Sequence, residues 1–114
     1  MHYEKINPLS RQEAENIFKQ GDAEAISDAL LSVTFHEEDW QWVQSSCLMF
    51  LEYPDKNVRA VAATCLGHLA RIHGIIDVAT VVPALEAHLS DPEVGGRASD
   101  ALDDIAMFVK NVSP

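Results

Sequence analysis

The stretch EYPDKNVRAVAATCLGHLARIHG, Glu52 to Gly74, couples a Pro-Asp turn to a long alanine-rich segment. An amphipathic helix ordinarily carries a broad stripe of large apolar side chains on one face. Here the stripe is thin: Val58, Ala62, Cys65, Leu66 and Leu69, with small residues around them. Such a helix suits neighbours whose axes come close, because small side chains let backbones approach. The fold turns on what those neighbours are.

Copies of the same stripe recur on either side. At a constant offset of 36 residues Ile26, Ala62 and Ala98 correspond; so do Ala29, Cys65 and Ala101, then Leu30, Leu66 and Leu102, then Val33, Leu69 and Ile105. Within each copy the spacing is i, i+3, i+4 and i+7, one face of an α-helix. The helices that precede them repeat less regularly. Leu85, Leu89 and Pro92 match Cys47, Leu51 and Pro54 at an offset of 38, the difference falling in the turn. A period of this length marks stacked supersecondary units, so the alanine-rich helix is expected to lie between two copies of itself.

Cap and turn signals divide the chain into six helices, and no alternating run suggests a strand. Ser10 and Glu13 have capping-box spacing and open a helix to about Lys19; Gly21-Asp22 ends it and caps a second, to about Phe35. A third is expected from Asp39 to Glu52 before Pro54, and a fourth from Asp55 to Ile72 before Gly74. Asp77 opens a fifth to Ser90, and a sixth follows Asp91-Pro92 to about Asn111. The sequence therefore predicts an all-α fold: a short α-solenoid of three antiparallel helix pairs, residues 10–35, 39–72 and 77–111, forming one domain of 114 residues.

The middle and last copies resemble HEAT-type repeats, whose second helix reads Asp, a spacer, Val-Arg, then Ala-Ala and Leu-Gly at helical spacing. Asp55, Val58, Arg59, Ala62, Ala63, Leu66 and Gly67 match that pattern, as do Asp91, Pro92, Val94, Ala98, Ala101 and Leu102. The last copy departs from it at Gly95 and Asp103, and the first keeps only the ridge. In HEAT-like folds the second helices line a concave binding surface, which the resemblance implies is the docking face here.

Composition narrows the partners. Eighteen acidic residues against eight basic ones give a formal net charge of -10, and no basic stripe offers itself to phosphate backbones or anionic lipid. A basic protein partner fits better, although excess acid also serves plain solubility. MHYEKINPLSRQ lacks the pattern of a secretory signal, and no run approaches the ~18 apolar residues of a membrane span, so a soluble cytoplasmic monomer is expected. Cys47 and Cys65 lack CxxC spacing and read as small core residues.

With the ridges facing inward, the exposed lines fall at Glu24, Asp28, Leu31 and Phe35; at Ala60, Thr64, Gly67 and Arg71; and at Gly96, Asp100, Asp103 and Met107. The middle line is nearly bare, a trough holding His68 and bordered by acids, with Asp104 beside Asp100 and Asp103. Either a partner lies in that trough, or its small residues are merely good helix formers. FHEEDWQW, Phe35 to Trp42, is the other candidate contact. Trp40 and Trp42 diverge by about 200° on a helix, so one is expected exposed or at a rim. Glu37, Glu38 and Asp39 would steer a basic partner or complement the dipole of the helix they precede.

Chemistry is harder to find. The chain has no phosphate loop, GxSxG or HExxH. His36-Glu37 is a single pair where HEAT-repeat di-iron hydroxylases use several, and Asp100, Asp103 and Asp104 suit a partner-facing patch better than a metal. No catalytic residue, cofactor or metal is expected. A small, acidic protein with a bare trough between acidic banks resembles bacterial immunity proteins, including those of contact-dependent growth-inhibition systems. That resemblance implies a cognate toxin as partner, commonly a basic nuclease, with Asp28, Glu37, Glu38, Asp39, Trp40, Trp42, Thr64, Gly67, His68, Arg71, Asp100, Asp103 and Asp104 as contacts. An accessory or scaffold protein for another enzyme is the alternative, and a metal-dependent enzyme a more distant one.

Overall fold

The structure, a computed structural model, describes residues 8–110. Six helices fill it, α1 (Arg11–Gln20), α2 (Ala23–His36), α3 (Trp40–Phe50), α4 (Lys56–His73), α5 (Val78–Glu86) and α6 (Gly95–Phe108), with no strand among the described residues. The all-α expectation holds. None of these helices is long and apolar enough to cross a membrane.

The caps are largely those read from the sequence. Ser10 Oγ accepts from the Glu13 N–H while Glu13 reaches back to the Ser10 N–H, completing the capping box of α1. Asp22, Asp39 and Asp55 accept from the first-turn N–H groups of α2, α3 and α4. Helix α4 ends at Gly74, whose φ of 69° is left-handed and free of strain only for a residue without Cβ.

Two boundaries differ from expectation. Helix α5 stops at Glu86 rather than Ser90, because the chain tightens there into i→i−3 bonds, His88 N–H to the Leu85 carbonyl and Leu89 N–H to Glu86. Asp77 does not cap α5 with its side chain; its carboxylate accepts instead from the Thr80 hydroxyl at 2.7 Å. Helix α6 ends at Phe108; Asn111, its expected end, lies outside the described residues, as do residues 1–7 of the N-terminal stretch.

Helix α1 packs on α2, α3 on α4 and α5 on α6, while α4 lies between α2 and α6. The ridge makes the core: of its twelve positions only Leu102, on α6, is not fully buried. Each buried leucine or isoleucine of the ridge contributes about 1.5–3 kcal/mol. Side-chain ties also join the second and third pairs, His88 and Glu52 at the 36-residue step itself. Gln44 Oε1 accepts from the Asp77 N–H at 2.8 Å, His88 Nε2 lies 2.8 Å from Glu52 Oε2, and Lys56 pairs with Glu93 at 3.7 Å. Arg59 donates to the Tyr53 and Pro54 carbonyls and meets Asp91 at 3.5 Å, bracing the turn. The N–H of Glu93 and the Arg59 charge hold Asp91 below the ordinary carboxylate range. Cys47 and Cys65 are buried, free thiols; the hydrogen bond between them, with burial, favours the neutral Cys47 thiol and pushes its pKa up.

Candidate protein-binding surface

The outer lines of α2 and α6 are open as expected. Asp28, Phe35, Asp100, Asp103 and Met107 are exposed, and Leu31 and Asp104 are half-buried. The middle helix corrects the reading. Ala60 and Gly67 are buried, and the supposed bare trough is the seam where α4 meets α6. Arg97 Nη1 donates to Thr64 Oγ1 at 2.8 Å; a Cβ on Gly67 would stand 2.9 Å from Asp104 Oδ2 and 3.1 Å from Ala101 Cα; the Arg71 guanidinium lies 5.9 Å from the Phe108 ring centre. These contacts run in register along two parallel helices. The physical reason is lateral: α4 has a helix on each side, so the positions that are outermost on α2 or α6 are partly walled in here, and its solvent line moves to Val61, Thr64, His68 and Arg71. Glycine at position 67 lets the axes close up rather than leaving a groove for a partner.

His68 sits at the other seam, its ring 5.1 Å from that of Phe35 on α2. Burial holds its pKa below the ordinary histidine value, and the Arg71 charge adds to this while Asp104 partly opposes it. The three aspartates expected to share a face diverge: Asp104 turns toward Gly67 and His68, whereas Asp100 and Asp103 point to solvent. Among the described residues no group of three or more His, Cys, Asp or Glu side chains is placed to hold a metal ion.

The FHEEDWQW connection is occupied with its own structure. Glu37 Oε2 accepts from the Asp39 N–H at 3.0 Å, Asp39 Oδ1 accepts from the Trp42 N–H, and Asp39 Oδ2 pairs with Arg11 at 3.2 Å. Neither tryptophan stands out from the surface. Trp40 and Trp42 are both half-buried, and Trp42 is stacked on Phe18 at 6.3 Å with the Arg11 guanidinium 4.6 Å from its ring centre. Two side chains of α1, Phe18 and Arg11, reach over to Trp42, a cover that the geometry of α3 alone does not include. Phe18, Phe50 and Tyr53 extend that aromatic cluster, which the sequence reading did not single out. Glu38 is the exposed acid of the three.

At the far end of the second helices, sequence reasoning chose Arg71 as a contact but not its neighbours. Phe35 and Met107 share its rung of the 36-residue ladder, and with Phe108 they put large side chains on the surface where α2, α4 and α6 end. The signal was the size of those residues beside their small predecessors.

No protein-family model matches the chain, and no curated protein does. A solved structure does: the crystal structure of a CDI complex from Cupriavidus taiwanensis LMG 19424 contains a chain that superimposes with a TM-score of 0.84 and 35% sequence identity, covering 95% of this chain and 97% of that one. A likeness of that size along nearly the whole of both chains is one of ancestry and not of helix packing alone, and the chain belongs to the same family as this component of a CDI complex.

Proposed function

We propose that the protein is an immunity protein of a contact-dependent growth-inhibition system, a non-enzymatic cytoplasmic monomer that binds and neutralises a cognate nuclease toxin. The observation that carries this reading is the end-to-end likeness to a chain of a CDI complex. Charge supports the finer part. A nuclease domain presents basic side chains to phosphate, and a protein of net charge -10 with Asp28, Asp100 and Asp103 open on α2 and α6 complements such a surface. Glu38, open at the turn before α3, extends the acid field toward the first pair.

The test is titration calorimetry with the toxin domain encoded beside its gene, together with growth of cells expressing that domain. Tight one-to-one binding and restored growth are expected. Absence of both would end the proposal.

A further inference from the structure

We infer that the partner is anchored at the shared C-terminal end of α2, α4 and α6, where an apolar patch receives a large apolar side chain of a basic toxin domain while the acids beside it steer the approach. This rests on the immunity reading and adds the place and chemistry of the contact.

Seven large apolar side chains are exposed among the described residues, and five of them, Phe35, Ile72, Ile75, Met107 and Phe108, lie at or just past the ends of these three parallel helices. Met107 is 75% exposed and Phe35 45%, values that leave most of a methionine and nearly half of a phenylalanine in water. On the middle helix His68 and Arg71 bridge the apolar residues of its two neighbours, His68 with its ring 5.1 Å from that of Phe35 and Arg71 5.9 Å from the Phe108 ring centre. Exposed apolar residues scattered singly need no explanation, whereas a cluster rimmed by polar groups is the mark of an interaction site. Met49 and Leu89, the other two, sit singly on α3 and on the turn after α5.

Charge identifies the occupant. On α2 and α6 the patch runs directly into Asp28, Asp100 and Asp103, one to two helical turns away along the same exposed lines, so a partner seated on the apolar end lays its neighbouring surface on carboxylates. These carboxylates match a basic domain and repel an acidic one, while the exposed Arg71 on the middle rung stands against Phe108 within the apolar end itself. Water leaving Phe35 and Met107 supplies the lasting hold, as apolar anchors at the centre of an interface do, and the rim acids govern encounter. Trp42 is less suited to this role, because its half-buried ring already stacks on Phe18 and carries the Arg11 guanidinium.

The experiment measures association and dissociation rates of the toxin domain encoded beside the gene against wild type, Met107→Ser, Phe35→Ser and the control Met49→Ser, with a melting curve of each. Met107→Ser and Phe35→Ser should raise the dissociation rate ~10-fold or more while leaving association within about twofold, and Met49→Ser should change neither. If Phe35→Ser melts early, Met107→Ser decides alone, its side chain being mostly in solvent. Wild type that binds, with Met107→Ser dissociating no faster, overturns the anchor and leaves the immunity reading standing; wild type that does not bind overturns both. A dimer of the free protein that Met107→Ser breaks apart would assign the patch to a second copy of the chain and overturn the inference.

Discussion

Two neighbouring residues of α4 show how closely the second helices are fitted. A methyl group on Gly67 would press on Ala101 Cα at 3.1 Å and on its Cβ at 3.3 Å, so a branched side chain there must push α6 away from α4. Gly67→Val should therefore destabilise by about 1–3 kcal/mol despite removing a glycine from a helix interior, read as a lower midpoint in denaturant. An unchanged midpoint would mean that the two axes have room to spare. His68 reports on the opposite seam. Its pKa is lowered in the folded state, chiefly by burial and then by Arg71, so the unfolded chain binds more protons in the interval between the two values. That contribution to stability is complete above the ordinary histidine pKa and is lost as pH falls through the folded one. Between about pH 7.5 and about pH 5, wild type should lose more stability than His68→Gln, which does not titrate. Equal losses by chemical denaturation at the two pH values would show that Phe35, Arg71 and Asp104 do not set the environment of this ring.

At the scale of the element, the start of α3 separates two explanations for an acid. Asp39 both caps the helix through the Trp42 N–H and pairs with Arg11, and the pair is far from buried, with the two side chains 42% and 47% exposed. An exposed pair is screened and contributes at most about 1 kcal/mol, whereas a lost cap costs about 0.5–2 kcal/mol. Asp39→Asn keeps the cap and removes the charge, so it should stay within a few tenths of a kcal/mol of wild type. Asp39→Ala loses both and should fall by about 1 kcal/mol or more in the same thermal melt. Were the two variants equally destabilised, the charge on Arg11 and its stack on Trp42 would be the stronger support. This local economy explains the row Glu37, Glu38, Asp39 without a partner for two of its three members, since Glu37 accepts from the Asp39 N–H.

Across the whole molecule, eighteen acids on a chain of 114 residues make a field that a basic partner feels before contact. Asp28, Asp100 and Asp103 are the acids placed on the open lines of α2 and α6. Changing all three to Asn should slow association with the toxin domain and flatten its dependence on salt, leaving dissociation much less affected. Stopped-flow rates at low and physiological ionic strength measure this. An association rate indifferent to salt in the wild type would leave the charge without a function in recognition.

Periodicity and caps were enough to specify from sequence the six helices, their order and the ridge that became the core, because each rests on residues within one or two turns of one another: Ser10 with Glu13, Asp55 with Val58, Leu66 with Leu69. The likeness to immunity proteins was also read there, through size, acid content and a bare trough that the structure turns into a helix seam. Which faces stay open was not. An alanine or glycine has the same local meaning whether it faces water or a neighbouring helix axis, and only the tertiary structure decides between them by setting how many helices flank each one. Helix α4 has α2 and α6 on its sides, so Gly67 became a contact and Thr64 a hydrogen-bond acceptor for Arg97; among the described residues α2 and α6 each have one such flanking helix fewer, so Phe35 and Met107, on the same rung of the ladder, remained in solvent.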